Sequence, residues 1–330
     1  MATIEKPGAE SQENLERRII NVVGEQGFIV IFIAWCIYLY FSTDNFGTTN
    51  NVFTILRQAS IIGIVAIGAH FIILLGDIDL SPAATLTLCG VVMAKLMVEQ
   101  DYSPWIAGGL AVSLGLLIGL VNALIITGLK INAIITTLGT SSVLAGIALT
   151  LTAGKTVFGD QIDAIEFLSR QRILDDRIPL PVIILFVLYA VAFVILRRTV
   201  FGAWVFAVGN NSRAAWLSGI NVSLVKIIAY MLAGGLAAFG GIMQVARQGT
   251  ATGAMGSDFL FPILTAVVLG GASLSGGRGK VFNTLIAAIF LTTITNGMVL
   301  LNYDVDTQRV VSGVILIVAL SLDRLRTVRV

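Results

Sequence analysis

Between Trp105 and Ile126 the chain runs for 22 residues without an ionisable side chain, and Ile61 to Leu75 offers only His70. As a helix the first run is about 33 Å long, enough to cross a hydrocarbon layer of roughly 30 Å. A soluble domain has no exterior on which to place several such runs, so lipid is the solvent they imply. Composition agrees: 12% of residues are charged, half of the roughly 25% of soluble domains, and mean hydropathy is +0.92. A net charge of +2 excludes a strongly basic nucleic-acid surface. Cys36 and Cys89 each fall in an apolar run and read as packing residues, not as a disulfide framework or a thiolate metal site.

The expected fold is all-α and polytopic, about ten transmembrane helices over residues 28–42, 52–76, 80–98, 104–128, 131–153, 180–197, 226–246, 259–275, 281–302 and 310–323. The first and last runs are short. Residues 1–27 are polar, with Glu5, Glu10, Glu13, Glu16, Arg17 and Arg18, and do not read as a cleavable signal. Leu15, Ile19, Ile20 and Val23 recur at helical spacing, which predicts a cytoplasmic amphipathic segment on the membrane surface. Residues 28–330 form one transmembrane domain with no soluble domain attached.

Basic residues are retained on the cytoplasmic side. With the N-terminus inside, the inner segments take Lys6, Arg17, Arg18, Lys130, Arg197, Arg198, Arg213, Lys226, Arg278, Lys280, Arg324, Arg326 and Arg329, thirteen of the 21 Lys and Arg. The outer segments take six: Lys155, Arg170, Arg172, Arg177, Arg247 and Arg309. Two loops stand out: 154–179 outside, and 198–225 inside, which contains no acidic residue. Gly76, Leu80, Pro82 and Thr85 match Gly256, Leu260, Pro262 and Thr265 in register. These segments begin the third and eighth spans from opposite sides, the pattern of a five-plus-five inverted repeat.

Motifs for chemistry are thin. Gly154-Lys155-Thr156 ends like a phosphate loop, but position 149 is Leu where that pattern needs Gly. Leu274-Ser275-Gly276-Gly277 matches a signature tetrapeptide of transport ATPases, yet no phosphate loop accompanies it. One histidine, His70, is too little for a metal cluster or a catalytic triad. It reads as a packed imidazole, with a pathway role as the alternative. Asp77, Asp79 and Ser81 enter the third span. A carboxylate deep in the membrane costs roughly 2.5 kcal/mol or more unless solvated or paired, so it lines an interior path or caps a wetted turn. In the ninth span Thr292, Thr293, Thr295 and Asn296 either satisfy themselves on neighbouring turns or offer hydrogen bonds to desolvated polar groups along an interior path.

The inner loop reads Ala207-Val-Gly-Asn-Asn-Ser-Arg213-Ala-Ala-Trp-Leu-Ser-Gly219-Ile-Asn-Val, and a later helix ends Gly-Gly-Ile-Met-Gln-Val-Ala-Arg247. With Asp77-Ile-Asp-Leu-Ser81, with Val268 to Lys280 and with Asn296-Gly297, this resembles the permease subunits of ribose-type ATP-binding-cassette monosaccharide importers, in order over about residues 45 to 325. The resemblance implies a subunit of the bacterial inner membrane with both termini cytoplasmic. It moves a monosaccharide and has no catalytic residue, metal or cofactor of its own. Implied partners are a second permease copy, two cytoplasmic ATPase subunits that use ATP and Mg, a periplasmic sugar-binding protein and membrane lipid. Asn210, Asn211, Arg213, Ala214, Ala215, Trp216, Leu217, Ser218 and Gly219 would form the helix that couples to the ATPase. Two residues depart from the pattern: Arg213 stands where the broader motif has Glu, and Asp77 where the family usually has Gly. The competing function is a secondary transporter in which His70, Asp77 or Asp79 carries a proton.

Overall fold

The computed structural model describes residues 28–173 and 178–328. The N-terminal segment 1–27, with its expected surface helix, lies outside the described residues. Each expected span contains a helix: α1 (Phe28–Ser42), α2 (Thr49–Leu74), α3 (Pro82–Gln100), α4 (Pro104–Gly128), α5 (Ala133–Thr152), α7 (Leu180–Arg198), α10 (Val222–Gln248), α11 (Leu260–Leu269), α12 (Val281–Leu300) and α13 (Val305–Val328). Seven of these, α2 to α5, α7, α10 and α12, are long and apolar enough to cross a membrane. A single turn, α6 (Phe167–Arg170), and a two-residue hairpin, β1 (Arg172–Ile173) with β2 (Ile178–Pro179), precede α7.

Polar residues at the junctions set the boundaries. Thr48, Ser103, Asn132 and Asn221 accept hydrogen bonds from the first-turn amides of α2, α4, α5 and α10. Pro82 and Pro104 open α3 and α4 where a missing N–H costs nothing. Gly249, in the left-handed region at φ 67°, closes α10.

Two expectations change. The run 259–275 holds only the ten-residue α11, about 15 Å long, because Gly271 at φ 85° turns the chain out of the helix. Before α11, residues 252–259 run non-helically through protein: Gly256 lies against the carbonyl of Ala83 and the hydroxyl of Thr87, and Gly253 against Leu149. These contacts give the irregular backbone the protein cover it would need inside a bilayer. The inner segment 198–225 holds α9 (Ser212–Leu217) within the stretch expected to be helical and, beyond that expectation, α8 (Val200–Asn210), the two capped by Asn211 and Thr199.

The core is the antiparallel pair α2 and α10. Packing partners repeat when the halves are exchanged: α10 lies on α4 as α2 lies on α12, α10 on α3 as α2 on α11, and α3 on α5 as α11 on α13. This is the relation an inverted repeat creates. The α4–α10 crossing is close enough that a Cβ on Gly234 would stand 2.1 Å from the Gly115 carbonyl oxygen. Segments assigned to one side of the membrane meet each other. At one end the Leu74 carbonyl accepts from Gly277 N at 2.8 Å, and Gly209 of α8 packs on the same carbonyl. At the other, Val157 and Ala251 exchange backbone bonds of 2.8 and 2.9 Å, and Arg309 forks onto Asp258.

Candidate functional site

The α2–α3 connection, residues 75–81, concentrates the buried polar chemistry. Gly76 at φ 79° turns the chain after α2, and the amides of Leu75, Gly76 and Asp77 bond back to Ile72 and Ile73. Asp79 is 5% exposed, and its Oδ1 accepts from the backbone N–H of Ser81 at 2.8 Å and from the Ser81 hydroxyl at 2.7 Å. Asp79 thus satisfies the start of α3, while Ser81 occupies the N-cap position itself.

Ser81 extends the network. Its Oγ accepts from Asn122 Nδ2 at 3.1 Å, and Asn122 Oδ1 accepts from the Thr140 hydroxyl at 2.7 Å. Leu80 N donates to Thr137 Oγ1 at 3.0 Å. The entry to α3 is therefore pinned to α4 and α5. Asp79, Ser81, Pro82 and Thr85 line one wall of a narrow crevice, closed opposite by Gly119 and Asn122 of α4 and by Ala233, Gly234 and Ala237 of α10. Asp77 faces elsewhere: Lys226 donates to both of its oxygens, and the Tyr230 hydroxyl stands 3.5 Å away.

The α12 group is separate. Thr292, Thr293 and Thr295 donate to carbonyls three or four residues back on their own helix. Asn296 exchanges amide bonds of 2.8 and 3.0 Å with Asn51 at the start of α2, and Trp35 of α1 reaches the Thr293 carbonyl. The structure brings Asp79 and Ser81 together, sets Asp77 against α10, and places Thr293 of α12 against α1 and Asn296 against the start of α2. His70 is fully buried, with Nδ1 2.9 Å from the Thr284 hydroxyl, at the α2–α12 contact. Among the described residues no three His, Cys, Asp or Glu side chains group as a metal site would require.

Sequence reasoning missed Asn122, Thr137, Thr140, Lys226 and Tyr230. Asn122 carried a signal, being the lone amide in the apolar run of α4.

At the end where α8 meets Leu74, α9 stands as a short projection. Asn211 Oδ1 accepts from Ala214 N at 3.0 Å and Ser218 Oγ donates to the Ala214 carbonyl. The Arg213 guanidinium lies 4.9 Å above the Trp216 ring. Ala215 is buried and roots the helix; Trp216 and Leu217 are 56% and 70% exposed. Gly219, at φ 86°, ends it and leads into α10, with nothing within 4 Å of an added Cβ. Asn210 bonds to the Phe206 carbonyl and packs on Gly277.

A family model described as branched-chain amino acid transport system / permease component matches residues 51–320. The ribose import permease protein RbsC of Escherichia coli K12 is 35% identical over 302 residues, 91% of this chain and 93% of that protein. The RbsC protein of Bacillus subtilis 168 is 37% identical over 275 residues, 83% and 84% of the two chains. The D-allose transport system permease protein AlsC of E. coli K12 is 32% identical over 301 residues, 90% of each. No solved structure matches the chain. With a match that runs from the start of α2 into α13, the chain belongs to this family of membrane transport permeases.

Proposed function

We propose that the chain is the membrane-embedded permease subunit of an ATP-driven monosaccharide importer of the bacterial inner membrane. The observation that carries the mechanism is α9. A helix of one and a half turns exposes an indole and a leucine at one end of a membrane bundle and leads through a single glycine into α10, a core helix. Exposed apolar side chains on a rooted helix suit insertion into a groove of a cytoplasmic ATPase. ATP and Mg are then used by that partner, and this chain supplies the moving path. Two permease copies, two ATPase subunits and a periplasmic sugar-binding protein complete the assembly, and Asp77, Asp79, Ser81, Thr292, Thr293 and Asn296 are candidates for the path.

The sugar class rests on the relatives, which are named for ribose and D-allose, and for L-arabinose in a third case. The test is uptake by proteoliposomes holding the complete complex, with labelled ribose, allose and arabinose each presented on its binding protein. Accumulation that needs both ATP and the binding protein supports the reading. Accumulation driven by a proton gradient without ATP would instead establish the secondary-transporter alternative.

A further inference from the structure

The central seam between α2 and α10 carries polar groups at its outer end that no part of the site above uses. Its register is fixed by two contacts: Gly68 lies on Ala233, and Gly240 lies on Val65 and the Ile61 carbonyl. In antiparallel helices one further turn outward from Ile61 and Gly240 sets Arg57 level with Gln244 on the same facing stripes. Gln244 is 4% exposed, and its Oε1 has no hydrogen-bond partner among the described residues; neither does the buried Nε of Arg57. Arg247, three residues beyond Gln244, is half-buried, has no ion pair among the described residues and lies within electrostatic reach of Arg57.

A buried polar atom left unpaired costs roughly 1–3 kcal/mol, so two at one level of one seam mark a place where something else supplies the partners. The two orphans are of opposite kind, an N–H donor and a carbonyl acceptor. A carboxylate or phosphate pairs only with the NH2 end of the Gln244 amide, whereas a hydroxyl serves whichever end faces the seam. A hydroxyl donates to the amide oxygen and accepts from the guanidinium N–H at once. We infer that Arg57, Gln244 and Arg247 form an outer binding site for vicinal hydroxyls of a neutral sugar, the first contact a cargo makes with this chain.

The inference rests on the importer reading above, and one experiment separates the two. The complete complex in proteoliposomes is supplied with ribose, allose and arabinose on their binding proteins. If the wild type accumulates none of them with ATP, the importer reading fails before the seam is tested. Given one accumulated sugar, Gln244→Leu removes the acceptor at nearly constant volume, and Arg57→Lys keeps the charge while removing Nε–H. Each is expected to lower uptake at least tenfold, with ATPase co-purification and binding-protein affinity within twofold of wild type. Wild-type uptake by either variant overturns the site. So does a loss of uptake matched by an equal loss of binding-protein affinity, which would assign the arginines to the partner's acidic side chains. Should Gln244→Leu fail to assemble, Arg57→Lys decides alone.

Discussion

Lys226 donates to both carboxylate oxygens of Asp77, at 2.9 and 2.7 Å, and so ties α10 to the α2–α3 connection. Both side chains are less than a fifth exposed, and Tyr230, one turn further along α10, closes over the pair. Asp77 stands next but one to Asp79, and Lys226 stands seven residues after Gly219. The ion pair thus joins the first turns of α10 to the α2–α3 connection.

Removing one partner strands the other charge. Lys226→Met or Asp77→Asn is expected to cost about 3 kcal/mol, at the low end for such pairs because solvent reaches this one. The double variant should lose less than the two single losses added. Denaturant unfolding in detergent, run as a double-mutant cycle, measures the coupling, and strict additivity would show that the pair contributes nothing.

The α4–α10 crossing predicts a sharper effect. A side chain at Gly234 meets backbone on α4 rather than a mobile side-chain tip, so Gly234→Val is expected to cost more than about 3 kcal/mol or to prevent folding. Gly109, with nothing within 4 Å of an added Cβ, is the control: Gly109→Ala should leave unfolding unchanged or slightly improved. Equal behaviour of the two variants would refute the close crossing.

At α9 stability and docking should separate. Trp216→Asp alters an exposed face, so the chain should insert and unfold like wild type while the ATPase no longer co-purifies. Gly219→Leu meets no steric block in this chain; its cost is the left-handed backbone at φ 86°, about 1–2 kcal/mol. Retained co-purification of the ATPase with Trp216→Asp would remove α9 from the interface.

What the sequence made legible follows from periodicity and charge. α2, α10 and their neighbours read as spans because a helix buried all round needs only an apolar run, and the Lys and Arg bias paired the loops that meet at each end. The run 259–275 misled because glycines and small residues keep hydropathy high while Gly271 ends the helix. Val200–Asn210 read as part of a loop because it lies between two spans, and its 11 residues are too few to cross a membrane as a helix. Asp79 and Ser81 were visible as polar residues at a span entry. Their partners were not, since Asn122 lies 41 residues from Ser81 and no local spacing links them.

Sidedness is tested directly. In a background lacking Cys36 and Cys89, single cysteines beside Arg213 and Lys280 should label only from the cytoplasm, and one beside Asp163 only from outside. The first two positions lie near the Leu74 end of the bundle, where Gly209 and Gly277 meet, and Asp163 lies by Gln161, which bonds to Asp101 at the other. Labelling of all three from one side would break the assignment.

The last prediction concerns Asp79. Its Oδ1 serves Ser81 twice, and asparagine offers the same oxygen in the same place, so Asp79→Asn keeps the start of α3 and the Asn122 and Thr140 network. What it removes is an ionisable group that no described cation pairs and whose charged form is disfavoured by burial first and by Asp77 second. Removing an uncompensated buried charge should leave unfolding within about 1 kcal/mol of wild type or raise stability. The carboxylate lines a narrow crevice walled by α4 and α10, and that position is the ground for its proposed place on the path. ATP-driven uptake by Asp79→Asn is therefore expected to fall at least tenfold while ATPase co-purification stays unchanged. Uptake equal to wild type, with stability unchanged or improved, would leave Asp79 only its role in capping α3.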